Sequence, residues 1–144
     1  MAIAPMIEQD SRGSLQRERP WLLARALERY GICPGMGVAV LVCESHAIDR
    51  AVAVEAIASL GALQIDLGDV LPPVDLAEAL RDQRPAMLVA CAHGVDAWRS
   101  THVPLRVVGD GQDVLWWRAL ELREAAELRK ATQVSEELRR DLLP

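Results

Sequence analysis

The sequence predicts an α/β domain: a three-layer, doubly wound, mainly parallel sheet of about four strands, with helices on both faces and a long C-terminal helix. Three observations carry this. Four short apolar runs alternate with stretches of helical periodicity. The runs at 38–42 (VAVLV) and 86–91 (AMLVAC) are continuously apolar, as expected of parallel strands covered on both faces. Gly and Pro punctuate the junctions, at Gly31, Pro34-Gly35, Gly61, Pro72-Pro73 and Gly109.

Taken in order, residues 1–18 read as an N-terminal arm, with a polar, turn-rich stretch at Asp10–Ser14. The remainder, 19–144, reads as a single α/β domain. Pro20 is expected to open the first helix, where its missing N–H costs nothing. Leu23, Ala26, Leu27 and Tyr30 give that helix an apolar face, and Gly31 ends it. The first strand at 38–42 is followed by a helix over about 46–60, with Glu44 or Ser45 as its cap. A second strand is expected at 62–67, a short helix at 74–81, a third strand at 86–91 and a fourth at 105–108. Residues 94–99 read as a turn or one short helix. From 114 to 143 the pattern is helical, with Leu120, Leu128, Ala131, Val134, Leu138 and Leu142 able to form a stripe.

Composition narrows the function. With 144 residues, 51% of them hydrophobic, the chain can bury a core without disulfides or a structural metal. It contains no Phe, so Leu, Val, Ile, Ala and Met must build that core. A net charge of −5 argues against nucleic acid as a partner. No apolar run approaches the roughly 20 residues that span a bilayer, so no membrane association is expected. Three cysteines, none in a C-x-x-C pair, imply a reducing compartment and a cytoplasmic location.

The region from Pro20 to about Leu120 resembles the N-terminal subdomain of the adenylate-forming superfamily, the acyl-CoA synthetases, nonribosomal adenylation domains and luciferases. Residues 23–45, LARALERYGICPGMGVAVLVCES, are similar to that family's helix, Pro-Gly turn and first strand. Residues 51–67, AVAVEAIASLGALQIDL, are similar to its next helix and strand, and 76–90, LAEALRDQRPAMLVA, to the segment that follows. Residues 104–111, PLRVVGDG, with Trp116-Trp117 beyond, resemble the next strand and loop. Met36 stands where the family usually has Asp after Pro-Gly, and the family's T-Y-x-E-L segment before the first helix is missing. The resemblance implies that the phosphate loop and catalytic Lys of those enzymes lie past the matched region. No catalytic residue is therefore carried over. Lys130, the only Lys, lies among Glu and Arg on a helix. The expectation is a truncated form that is not an enzyme on its own.

Several constellations remain. Gly109-Asp110-Gly111-Gln112-Asp113 follows a strand and precedes a helix, but its two Asp would repel a phosphate, so it reads as a turn. Asp66 and Asp69 would suit a ribose hydroxyl only with a glycine fingerprint, which is missing. Trp98, Trp116 and Trp117 read as core or interface anchors rather than a ligand platform. Cys43, Glu44, Ser45 and His46 lie at the carboxyl end of the first strand. Cys91, His93 and Asp96 lie at that of the third. With strand order 2-1-3-4 these ends are neighbours at the switch point of the sheet. Cys43, His46, Cys91 and His93 are thus candidate ligand or metal residues, or a Cys–His nucleophile pair; the competing reading is two small buried apolar residues ending strands.

No cofactor is implied. The expected partner is a second copy or a larger protein, with Leu128, Val134, Leu138 and Leu142 as contact residues. Three functions stay open: a self-associating, non-catalytic scaffold; one subunit of a split adenylate-forming enzyme acting on an acyl or aryl substrate with ATP; and a small binding protein using the Cys43/His46/Cys91/His93 strand ends.

Overall fold

The computed structural model describes residues 17–68 and 72–142. The arm expected over 1–18 lies outside them up to residue 16. Residues 17 and 18 already belong to helix α1 (17–29). The helix therefore runs ahead of Pro20. Ile32 N–H closes back on Leu27 O at 3.1 Å, and Gly31 takes φ +94°, a left-handed turn that ends the helix.

Strand β1 (Gly37–Leu41), a single 3-10 turn (Glu44–His46) and α2 (Ala47–Ser59) follow. Then come β2 (Leu63–Asp66), α3 (Pro73–Gln83), β3 (Met87–Ala90), α4 (Ala92–Thr101), β4 (Val107–Gly109), β5 (Leu115–Trp116) and α5 (Trp117–Leu142). The sheet order is β2-β1-β3-β4-β5, and every pairing is parallel. The expected order 2-1-3-4 is present, with one strand more. β5 is two residues long, and the helical periodicity of the following segment masked it. The fourth strand starts two residues later than expected. α4 runs for ten residues rather than one turn, with Gly94 inside it.

The strands alternate between two cores, as the period of two requires. Val38, Val40 and Val42 join Met87 and Val89 under α1, α2 and the start of α5, with Leu23, Leu27, Ile57, Trp117 and Leu120. Ala39 and Leu41 join Leu88 and Ala90 against α3 and α4, with Leu76, Leu80 and Val95. Parallel strands covered on both faces explain the unbroken apolar runs read from the sequence. β2, at the edge, is largely exposed.

Close approach at the carboxyl end of the sheet depends on glycine. A Cβ on Gly94 would lie 2.4 Å from Leu41 O, and one on Gly109 would lie 2.7 Å from Ala90 O. These two positions let α4 and β4 close on the ends of β1 and β3.

Candidate functional site

β1 and β3 are adjacent, and α2 and α4, which follow them, lie on opposite faces of the sheet. This is the crevice where open α/β sheets place ligands. The pairing continues past the strands: Cys91 N–H donates to Leu41 O at 3.2 Å. Cys91 continues the face of Val89, and Cys43 follows Val42 into that same core, so the two meet. Their sulfurs are 3.3 Å apart, and Cys43 N–H donates to Cys91 Sγ at 3.4 Å. Both cysteines are buried and unbridged.

The chain then makes the 3-10 turn, which returns His46 over the same ends. Ligand atoms of Cys43, His46 and Cys91 all lie within 4.8 Å of one another. Ser45 Oγ lies 3.2 Å from His46 Nδ1. Of the four residues singled out from the sequence, these three come together. His93, on the first turn of α4, is exposed and stands outside the trio. Asp96 is also exposed and pairs with Arg99 at 3.4 Å. The third cysteine, Cys33, is exposed in the turn before β1.

His46 and Cys91 form part of the wall of a pocket of about 180 Å³. Arg19, Asp49, Asp110, Trp116, Trp117 and Arg118 complete much of the rest. Arg19 is nine-tenths buried and donates to Glu121 at 2.6 Å and to Asp49 at 2.9 Å. Burial pulls its pKa down, but the hydrogen bonds and charges of Glu121 and Asp49 outweigh that and raise it above its ordinary value. The guanidinium is a fixed cation that ties α1, α2 and α5 together beside the pocket. Trp117, the first residue of α5, has a buried Nε1–H with no hydrogen-bond partner among the described residues.

Arg19, Asp49 and Glu121 were not singled out by the sequence. Their separations of 30 and 102 residues leave no local pattern. Glu121 and Glu124 are both buried. The available signal was their position on the helical stripe of Trp117, Leu120 and Leu128. Glu124 takes Arg25 at 3.4 Å and Arg29, both from α1.

The other candidates have structural roles in hand. Trp98 donates to Val103 O at 2.9 Å. Asp66 accepts from Arg50 at 2.6 Å and from Gly68 N–H at 2.9 Å; Asp69 lies outside the described residues. Gln112 O in the Gly109–Asp113 turn accepts from Arg99. On α5, Leu128 is half-buried, whereas Val134, Leu138 and Leu142 are exposed. Every residue from 131 to 142 is exposed. Among the described residues, no helix is long and apolar enough to cross a membrane.

No family model and no curated protein matches the chain. Solved structures do. An anthranilate CoA ligase in complex with anthranoyl-AMP superposes with a TM-score of 0.65 at 18% identity, over 76% of this chain and 21% of that one. A benzoate CoA ligase from Burkholderia xenovorans LB400 gives 0.66 at 17% identity, over 76% and 22%. A Brucella canis acyl-CoA synthetase gives 0.67 at 15% identity, over 74% and 21%. The chain thus spans about a fifth of the length of these enzymes. The ordered phrases that resemble the adenylate-forming superfamily have a structural counterpart: this chain has the fold of one segment of the acyl- and aryl-CoA ligases.

Proposed function

We propose that the chain is an interaction module on this ligase-segment fold, not a catalyst of adenylation by itself, and that it pairs with a second copy through the far half of α5. One observation carries the reading. α5 is 26 residues long, but only Trp117, Leu120, Glu121 and Glu124 are buried. The seam then continues outward at 4-3-4-3-4 spacing through Glu124, Leu128, Ala131, Ser135, Leu138 and Leu142. That is the spacing of a two-helix seam. The exposed stretch 131–142 is short enough to be marginal as a helix in water without tertiary support, so a partner along the seam supplies what the rest of the domain does not.

The seam selects a second copy. About Gln133 it is nearly its own mirror image: Leu128 mirrors Leu138, and Ala131 mirrors Ser135. An antiparallel pair centred there sets leucine beside leucine and the two small residues beside each other. Light scattering after size exclusion tests this. The 144-residue chain should run as a dimer and a version ending at Lys130 as a monomer. A monomer in both cases, or a dimer in both, removes the reading. The shorter version keeps Glu121 and Glu124, and with them their ion pairs to α1.

A second reading is favoured by the pocket at the strand ends and by the likeness to ligases acting on aryl and acyl acids. Here the chain is one subunit of a split adenylate-forming enzyme and helps wall an acyl or aryl pocket. Acyl-adenylate should then form only when the chain is mixed with one carrying the phosphate loop and the catalytic Lys. Mixing without product removes it.

A further inference from the structure

The strand-end trio has chemistry that neither α5 nor the ligase fold accounts for. Two thiols and an imidazole converge from three places, the end of β1, the end of β3 and the 3-10 turn. We infer that Cys43, His46 and Cys91 form a three-ligand site for a soft divalent cation, zinc(II) in particular, whose fourth position faces the pocket beside Arg19 and Trp117.

The geometry fits. Two Zn–S bonds of about 2.3 Å at a tetrahedral angle hold their sulfurs roughly 3.8 Å apart. The sulfurs here stand 3.3 Å apart, so the ligands need to open by only about half an ångström. All three ligand atoms lie within 4.8 Å of each other, close to the spread such a site requires. Outer contacts are in place as well. Cys43 N–H already donates to Cys91 Sγ, an outer hydrogen bond of the kind that orients a metal ligand. Ser45 Oγ lies 3.2 Å from His46 Nδ1, an outer contact on the ring.

The donor set decides the ion. Thiolate and imidazole select zinc over magnesium or calcium, which take oxygen. On binding, both thiols lose their protons to solvent. The two thiolates and Zn²⁺ then sum to no net charge, which suits a site where both sulfurs are buried. Three protein ligands rather than four leave one position for water or an anionic ligand. His46 and Cys91 both line the pocket, so that position is reachable from it. His93 lies outside this site, and Cys33 is the internal control.

The test uses the full chain under a thiol-specific reductant that does not bind metal, loaded with cobalt(II) as a spectroscopic stand-in and then with zinc(II). One equivalent of cobalt should produce thiolate-to-metal charge-transfer absorption with tetrahedral d–d bands. One equivalent of zinc should bleach them. Cys33→Ser and His93→Ala should keep the signal. Cys91→Ser should abolish it, and His46→Gln should weaken zinc affinity by more than the roughly 10- to 100-fold typical of losing an outer partner. His46 is only half-buried, so this variant is expected to fold. Its thermal melt without metal should match the parent, and zinc should raise the melting temperature of the parent but not of the variant. Absence of charge-transfer absorption, or its survival in both Cys91→Ser and His46→Gln, overturns the site. So does its loss in Cys33→Ser.

Discussion

α5 is one helix with two fates. Its near part, Trp117 to Glu124, is packed under the sheet; its far part, 131 to 142, touches solvent along every residue. Composition does not separate them, since both are rich in Glu and Arg. What differs is what stands opposite. The near part faces α1, and α1 supplies Arg19, Arg25 and Arg29 to its two buried carboxylates. The far part has no such counterpart among the described residues. A charged side chain on a helix is thus no guide to burial until its partner is located, and in this chain the partner lies about a hundred residues away.

The sharpest way to break the comparison is to remove the near part's counterion. Arg19→Met keeps most of the volume but leaves the Glu121 carboxylate buried with Arg118 at 3.9 Å as its remaining cation. Stranding one member of a buried pair costs about 3–5 kcal/mol. Urea unfolding should show a loss of that order, a large fraction of the stability of a domain this size. The raised pKa of Arg19 gives the sign of its pH dependence. The stabilisation is complete below the guanidinium's unfolded range and is lost only as pH rises through the folded value, in strong alkali. The Arg19 contribution should therefore be flat from mild acid through neutrality to mild alkali.

A matched pair of truncations comes next. Leu120→Ala deletes a side chain that is 7% exposed, and about 2–5 kcal/mol should go with it. Leu138→Ala, at 56% exposed, should leave the unfolding of the monomer within about 0.5 kcal/mol of the parent. It should, however, weaken self-association in light scattering. Equal losses of monomer stability would mean that the far half packs on its own domain.

These contrasts show what the sequence could and could not convey. β1 and β3 were legible because two-sided burial writes itself as an unbroken apolar run. Cys43, His46 and Cys91 were legible as strand-end residues because the order of the sheet follows from the alternation of elements. β5 was not legible, since two residues carry no period. α4 was cut short at Gly94, which looks like a breaker in sequence but in the fold is a contact point with β1. Gly94→Ala tests that directly. Its Cβ would press on Leu41 O and on Ala90 Cβ, at 2.4 and 3.0 Å. Overpacking of this kind costs about 1–3 kcal/mol, seen as a lower urea midpoint with an unchanged slope.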